Sequence, residues 1–99
     1  MNIQSLMREA QKVQKELQKT QKELENTIYE GTSSLIHVKM NGKKELVSVK
    51  INLEDSIEKE DVELLQDMIM VAVNDGIRKV DKDKEKKMSK YGQGLSGLL

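Results

Sequence analysis

Residues 64–80, LLQDMIMVAVNDGIRKV, are the densest apolar run of the chain. At 100° per residue, Leu64, Leu65, Met68, Ile69, Met70, Val71, Ala72, Val73, Ile77 and Val80 take up most of a helix circumference. Glu63, Asp67, Asn74 and Arg78 remain as the main polar strip. A helix so widely apolar needs cover on several sides, and a chain of 99 residues has little to supply. The pattern therefore predicts an obligate homodimer, with Leu64, Leu65, Met68, Ile69, Ala72, Val73 and Ile77 at the subunit contact.

A different period governs residues 3–26. Ile3, Ala10, Leu17 and Leu24 repeat every seven residues as position a, and Leu6, Val13, Thr20 and Thr27 as position d. A thin seam sustained over four heptads predicts a long coiled-coil-like arm. Opposite the seam, at c and f, run Arg8, Lys12, Lys15, Lys19 and Lys22; Glu9, Glu16 and Glu23 fall at g, and glutamines fill b and e. Two readings of the stripe stay open. One is a solvated face stapled by Glu–Lys pairs; the other is a rod presenting cations to a phosphate backbone.

Between the helices the period drops to two. Residues 27–30 predict a short strand and 31–34 a break. Ile36, Val38 and Met40 then share one face, as do Val47, Val49 and Ile51 after the Asn41-Gly42 turn signal. A four-residue loop would place Val47 opposite Val38. Residues 53–59 are an acidic connection, and the second long helix is expected to start near Glu60 or Asp61. The fold class is thus α+β: a long N-terminal helix, a small three-stranded antiparallel sheet and a long C-terminal helix. One domain over 1–90 is followed by a flexible Gly/Leu-rich tail, 91–99.

Composition narrows the chemistry. There is no Cys, so no disulfide, cysteine-bound zinc or thiol nucleophile is available. No apolar run is long enough to span a bilayer, and a cytoplasmic location is expected. His37 is the single histidine, without an acidic neighbour at catalytic spacing in the sequence, so no enzyme activity and no cofactor or metal are expected. Asp75 interrupts the apolar arc beside Gly76; it is placed to pair with Lys79 or to cap a neighbouring element, while Gly76 would admit another backbone. Net charge is zero, but residues 81–99 carry five basic against three acidic residues. Arg78, Lys79, Lys82, Lys86 and Lys90 make a second basic strip there.

The order of these parts resembles the YbaB/EbfC family of bacterial nucleoid-associated proteins. The resemblance is carried by the Gln/Lys-rich heptad helix, by Asn41-Gly42, and by the D-x-I-x-x-A-x-N-D helix of residues 67–75. Family members commonly have Ala where this chain has Gly76. The resemblance implies a tweezer-like homodimer in the nucleoid that binds duplex DNA and affects nucleoid organisation and gene expression. It places DNA contact on the projecting first and last helices, here the Arg8, Lys12, Lys15, Lys19, Lys22 stripe and the Arg78, Lys79, Lys82, Lys86, Lys90 strip. With one arginine in each strip, little sequence discrimination is expected. The alternative is a dimeric scaffold that holds a protein partner through the heptad seam or the C-terminal leucines.

Overall fold

The first helix, α1, covers Ile3–Asn26 in a computed structural model that describes residues 2–53 and 56–91. Asn2 begins it: its side-chain oxygen accepts from the Gln4 N–H at 3.0 Å, satisfying a donor that every helix start leaves free. Thr27 closes it, donating its hydroxyl to the Glu23 carbonyl at 2.6 Å. Strands β1 (Tyr29–Ser33), β2 (Ile36–Met40) and β3 (Leu46–Ile51) follow as an antiparallel meander in the order β1-β2-β3. A 3-10 turn at Lys59–Asp61 leads into α2, Val62–Met88, and another at Ser89–Tyr91 ends the described chain. The α+β architecture agrees with the pattern. The tail expected over 91–99 lies outside the described residues except for Tyr91.

The strands differ from the pattern in two places. Where a break is predicted at 31–34, β1 continues to Ser33, and the reversal is confined to Ser34 and Leu35, with Ser34 at φ 47°. Gly31 does not break the strand; it lets α2 approach, since a Cβ there would meet the Ala72 carbonyl oxygen and the Gly76 nitrogen. In the second hairpin Val38 faces Val49, not Val47. Lys39 pairs with Ser48 but Met40 with Leu46, so Val47 is the extra residue of a bulge. Asn41 organises this loop by accepting from the Lys43 and Glu45 N–H groups at 2.9 and 3.1 Å. A slip of two residues keeps each side chain on its face, so Val49 and Ile51 still lie beside Val38 and Ile36.

The core joins Tyr29, Ile36, Val38 and Met40 of the sheet to Ala72 and Val80 of α2. Leu65, Met68, Ile69, Val73 and Ile77 pack against it half-buried. Ala72, expected at a subunit contact, is fully buried inside the single chain and keeps no surface for a second copy. That expectation is corrected by the Gly31 crossing, which consumes Ala72. α2 lies over β1 and β2. Val49 and Ile51, on the same sheet face, consequently stay 50% and 38% exposed, and Leu64 stays 60% exposed.

Tyr29 ties the sheet to the outer half of α2. Its hydroxyl donates to Asp83 Oδ2 at 2.6 Å, and Lys87 Nζ lies 3.1 Å from the same oxygen. Burial, and then the Asp83 carboxylate, push the Tyr29 pKa up to about 12. The Tyr29 hydroxyl, followed by Lys87, holds Asp83 below the usual carboxylate range. A raised tyrosine stabilises the fold below its unfolded pKa near ~10, and that contribution is lost as pH rises to about 12. A lowered aspartate stabilises above its unfolded value and loses this as pH falls through the folded one. Tyr29→Phe is expected to cost roughly 1.5–3 kcal/mol at neutral pH, to remove the alkaline loss and to weaken the acidic one. Thermal melts across pH check this.

Candidate nucleic-acid interface

Among the described residues, contacts hold only the inner end of α1. Leu24 is its one buried residue, and it shares a crevice with Tyr29, Gly42, Val80 and Met88. The Gly42 N–H donates to the Glu25 carbonyl at 3.3 Å, so the second hairpin seats the end of the helix. Farther out, Thr20 Oγ1 and the Tyr91 hydroxyl are 3.3 Å apart. Beyond that point α1 leaves the body: every residue from 3 to 16 is exposed. This projection gives the molecule its extents of 72 × 20 × 14 Å.

Because positions a and d near Leu24 turn toward α2, positions c and f turn away from it. Arg8, Lys12, Lys15, Lys19 and Lys22 are all exposed there. Among the described residues none of the five has an ion-pair partner. Glu9, Glu16 and Glu23 do not close on them, so the stapled-face reading lacks its staples. The stripe is a row of five solvated cations on a rod.

The second strip is different. Asp75 Oδ2 accepts from the Thr32 N–H at 3.0 Å and lies 3.2 Å from Lys79 Nζ; Asp75 Oδ1 is 3.6 Å from Arg78. The Thr32 N–H foremost, then Lys79, holds this carboxyl below its ordinary range. Lys79 also donates to the Glu30 carbonyl at 2.8 Å. Both structural roles open to Asp75 are therefore filled together: it caps β1 and pairs with Lys79. Lys79 belongs to the joint between sheet and helix, whereas Arg78 contacts Asp75 one turn back on α2 itself and keeps its side chain 69% exposed. Lys82 and Lys86 are exposed farther along α2, with Asp83 in the electrostatic reach of Lys86. Lys90 lies over the Tyr91 ring at 5.1 Å.

Several charged contacts escape sequence reasoning because they join distant segments. Lys44, at φ 64° in the hairpin, reaches Asp81 of α2 at 2.8 Å. His37 Nε2 comes within 3.6 Å of Glu30 Oε1 across the sheet, with Lys39 at 3.9 Å from the same oxygen. A strand alternation places Glu30 and His37 on one face, but only the register brings them together. Among the described residues no group of three metal-ligating side chains converges, and no helix is long and apolar enough to cross a membrane.

Comparison with known proteins agrees with this arrangement. A nucleoid-associated protein of Chloroflexus aurantiacus is 45% identical over 101 residues, covering 100% of both chains. One from Ligilactobacillus salivarius is 39% identical, covering 99% of this chain and 95% of its own. Among solved structures, an uncharacterized protein from Helicobacter pylori superposes with a TM-score of 0.69 at 30% identity, over 87% of this chain and 91% of its own. The profile of the YbaB/EbfC DNA-binding family matches residues 1–95. With a projecting cationic helix, a three-stranded meander and a long second helix all in place, the chain belongs to the YbaB/EbfC DNA-binding family.

Proposed function

We propose that this protein is a homodimeric nucleoid-associated protein of the bacterial cytoplasm, binding duplex DNA chiefly through phosphate contacts and so affecting nucleoid organisation and gene expression. The observation that carries this reading is the row of five exposed cations on one face of α1, without ion-pair partners among the described residues. Solvated lysines lose little by exchanging water for phosphate, and they release condensed counterions from the duplex when they do. Arg78, Lys82 and Lys86 of α2 and Lys90 of the turn that follows it add exposed charge, whereas Lys79 is engaged at the joint. A net charge of zero does not oppose this, because short-range fields act within a Debye length of ~8–10 Å and the arm holds its cations away from the acidic middle of the chain.

The homodimer is supported by what the single chain leaves uncovered. Val49 and Ile51 of β3 stay 50% and 38% exposed, and Leu35, Leu53, Ile57, Leu64, Leu65 and Met68 line an apolar groove at the start of α2. A second copy covering this face would leave both α1 rods free to flank a duplex. The open seam on the outer half of α1, with Ile3 72% and Leu6 47% exposed, favours a second reading in which a protein partner docks there.

Sedimentation velocity, with and without a labelled duplex, tests the proposal. The expected result is a dimer at micromolar concentration whose DNA affinity falls by ~10³-fold or more between about 50 and 200 mM salt. A flat salt response would remove the phosphate mechanism, and a stable single chain would remove the dimer.

A further inference from the structure

The two flanks of the cationic stripe on α1 are chemically unlike, and the difference fixes how the rod can meet a duplex. On one flank the g column holds Glu9, Glu16 and Glu23. On the other the b column holds amides along the projecting length, with a carboxylate, Glu25, only at the clamped end: Gln11 lies between Arg8 and Lys15 at i−3 and i+4, and Gln18 between Lys15 and Lys22 at the same offsets. Both glutamines are exposed, and among the described residues neither side chain has a hydrogen-bond partner. Two amides thus stand beside cations that, like them, have no partner among the described residues.

At 100° per residue the b and g columns are ~140° apart. A rod that turns its b column toward the groove floor carries the glutamates away from the phosphates, while the f column, ~40° from b, and the c column, ~100° from b, still face the phosphate walls. Turning the c column inward would instead press the glutamates onto the backbone. Electrostatics therefore selects the face that carries Gln11 and Gln18. The major groove admits an α-helix, and among the described residues nothing lies alongside the outer part of α1 to block entry. Gln11 and Gln18 are separated along the axis by ~10.5 Å, the rise of about three base pairs. A glutamine amide matches adenine there, accepting from N6 and donating to N7.

We propose that Gln11 and Gln18 are base-reading residues of α1, adding a preference for adenine at two positions about three base pairs apart to an otherwise sequence-tolerant grip. This rests on the DNA-binding reading above, and the test separates the two. Fluorescence anisotropy would compare an A·T-rich duplex with the same duplex carrying 7-deazaadenine, which lacks only the N7 acceptor and leaves the phosphates unchanged. The wild type is expected to bind the deaza duplex roughly tenfold more weakly or worse. A variant carrying Gln11→Ala and Gln18→Ala should bind both duplexes alike, with the wild-type salt slope. Salt-sensitive binding with equal affinity for the two duplexes overturns the glutamine assignment alone, as does discrimination that survives in the double variant. No binding to either duplex at low salt overturns the DNA reading and this inference with it.

Discussion

Gly31→Ala is expected to leave the protein largely unfolded, whereas Gly76→Ala, across the same crossing, should change stability little. The two glycines face each other where β1 passes under α2, but their surroundings are unlike. A Cβ on Gly31 points into the Ala72 carbonyl oxygen and the Gly76 amide nitrogen, which are backbone atoms of a helix and cannot step aside singly. Relief requires lifting α2 off the sheet, which breaks the contacts of Ala72 and Val80 with Val38 and Met40. Overpacking a core costs ~1–3 kcal/mol when side chains can adjust; with only backbone in the way the loss should exceed that range, a large part of the ~5–15 kcal/mol typical of a small domain. A Cβ on Gly76 meets the Met40 methyl at 2.6 Å, the far end of a flexible side chain. Moving it offsets a gain of ~1 kcal/mol in helix propensity. Urea unfolding of the two variants checks the contrast, and equal destabilisation would sink the account of the crossing.

Reversing Lys12, Lys15 and Lys19 to glutamate is expected to reduce DNA affinity by more than ~10³-fold at low salt. Each lost phosphate contact removes ~0.9 from the slope of log affinity against log salt, so three contacts per engaged arm remove ~2.7. The same three positions changed to glutamine should keep the reduced slope with a smaller loss, since repulsion is absent. Folding should be barely affected in either case, because none of these side chains has an ion-pair partner among the described residues. Lys79→Gln should do the opposite: it should cost stability through the Asp75 and Glu30 contacts and change DNA affinity little. Gel shifts and melts on the same preparations read both. Unchanged binding after the triple reversal would exclude α1 as the DNA arm.

The long elements were legible in the sequence because their periods are sustained. The heptad of α1 needs four repeats to declare itself, and it has them. What the pattern lacked was anything that depends on two segments meeting. Gly31 reads as a loop residue until α2 is laid across it. The Val47 bulge depends on the hydrogen bonds of Asn41 inside the loop, and hydrophobic alternation cannot distinguish registers two residues apart. The stripe on α1 was legible as a stripe, but that Glu9, Glu16 and Glu23 leave it unpaired was not, since their spacing permits the pairing. For the second strip, spacing implied a continuous cationic face; folding took Lys79 out of it by bringing Thr32 and Glu30 to the same turn.

A rod clamped at one end works as a lever. α1 is gripped near Leu24 and Gly42 and overhangs by more than half its length, so a tilt of ~10° at the clamp sweeps the Ile3 tip through about 5 Å. Substitutions at the pivot, ~18 Å along the axis from Lys12, would therefore re-aim charges they never touch. The stiffness of that small joint sets how widely the ammonium groups range in search of a grip.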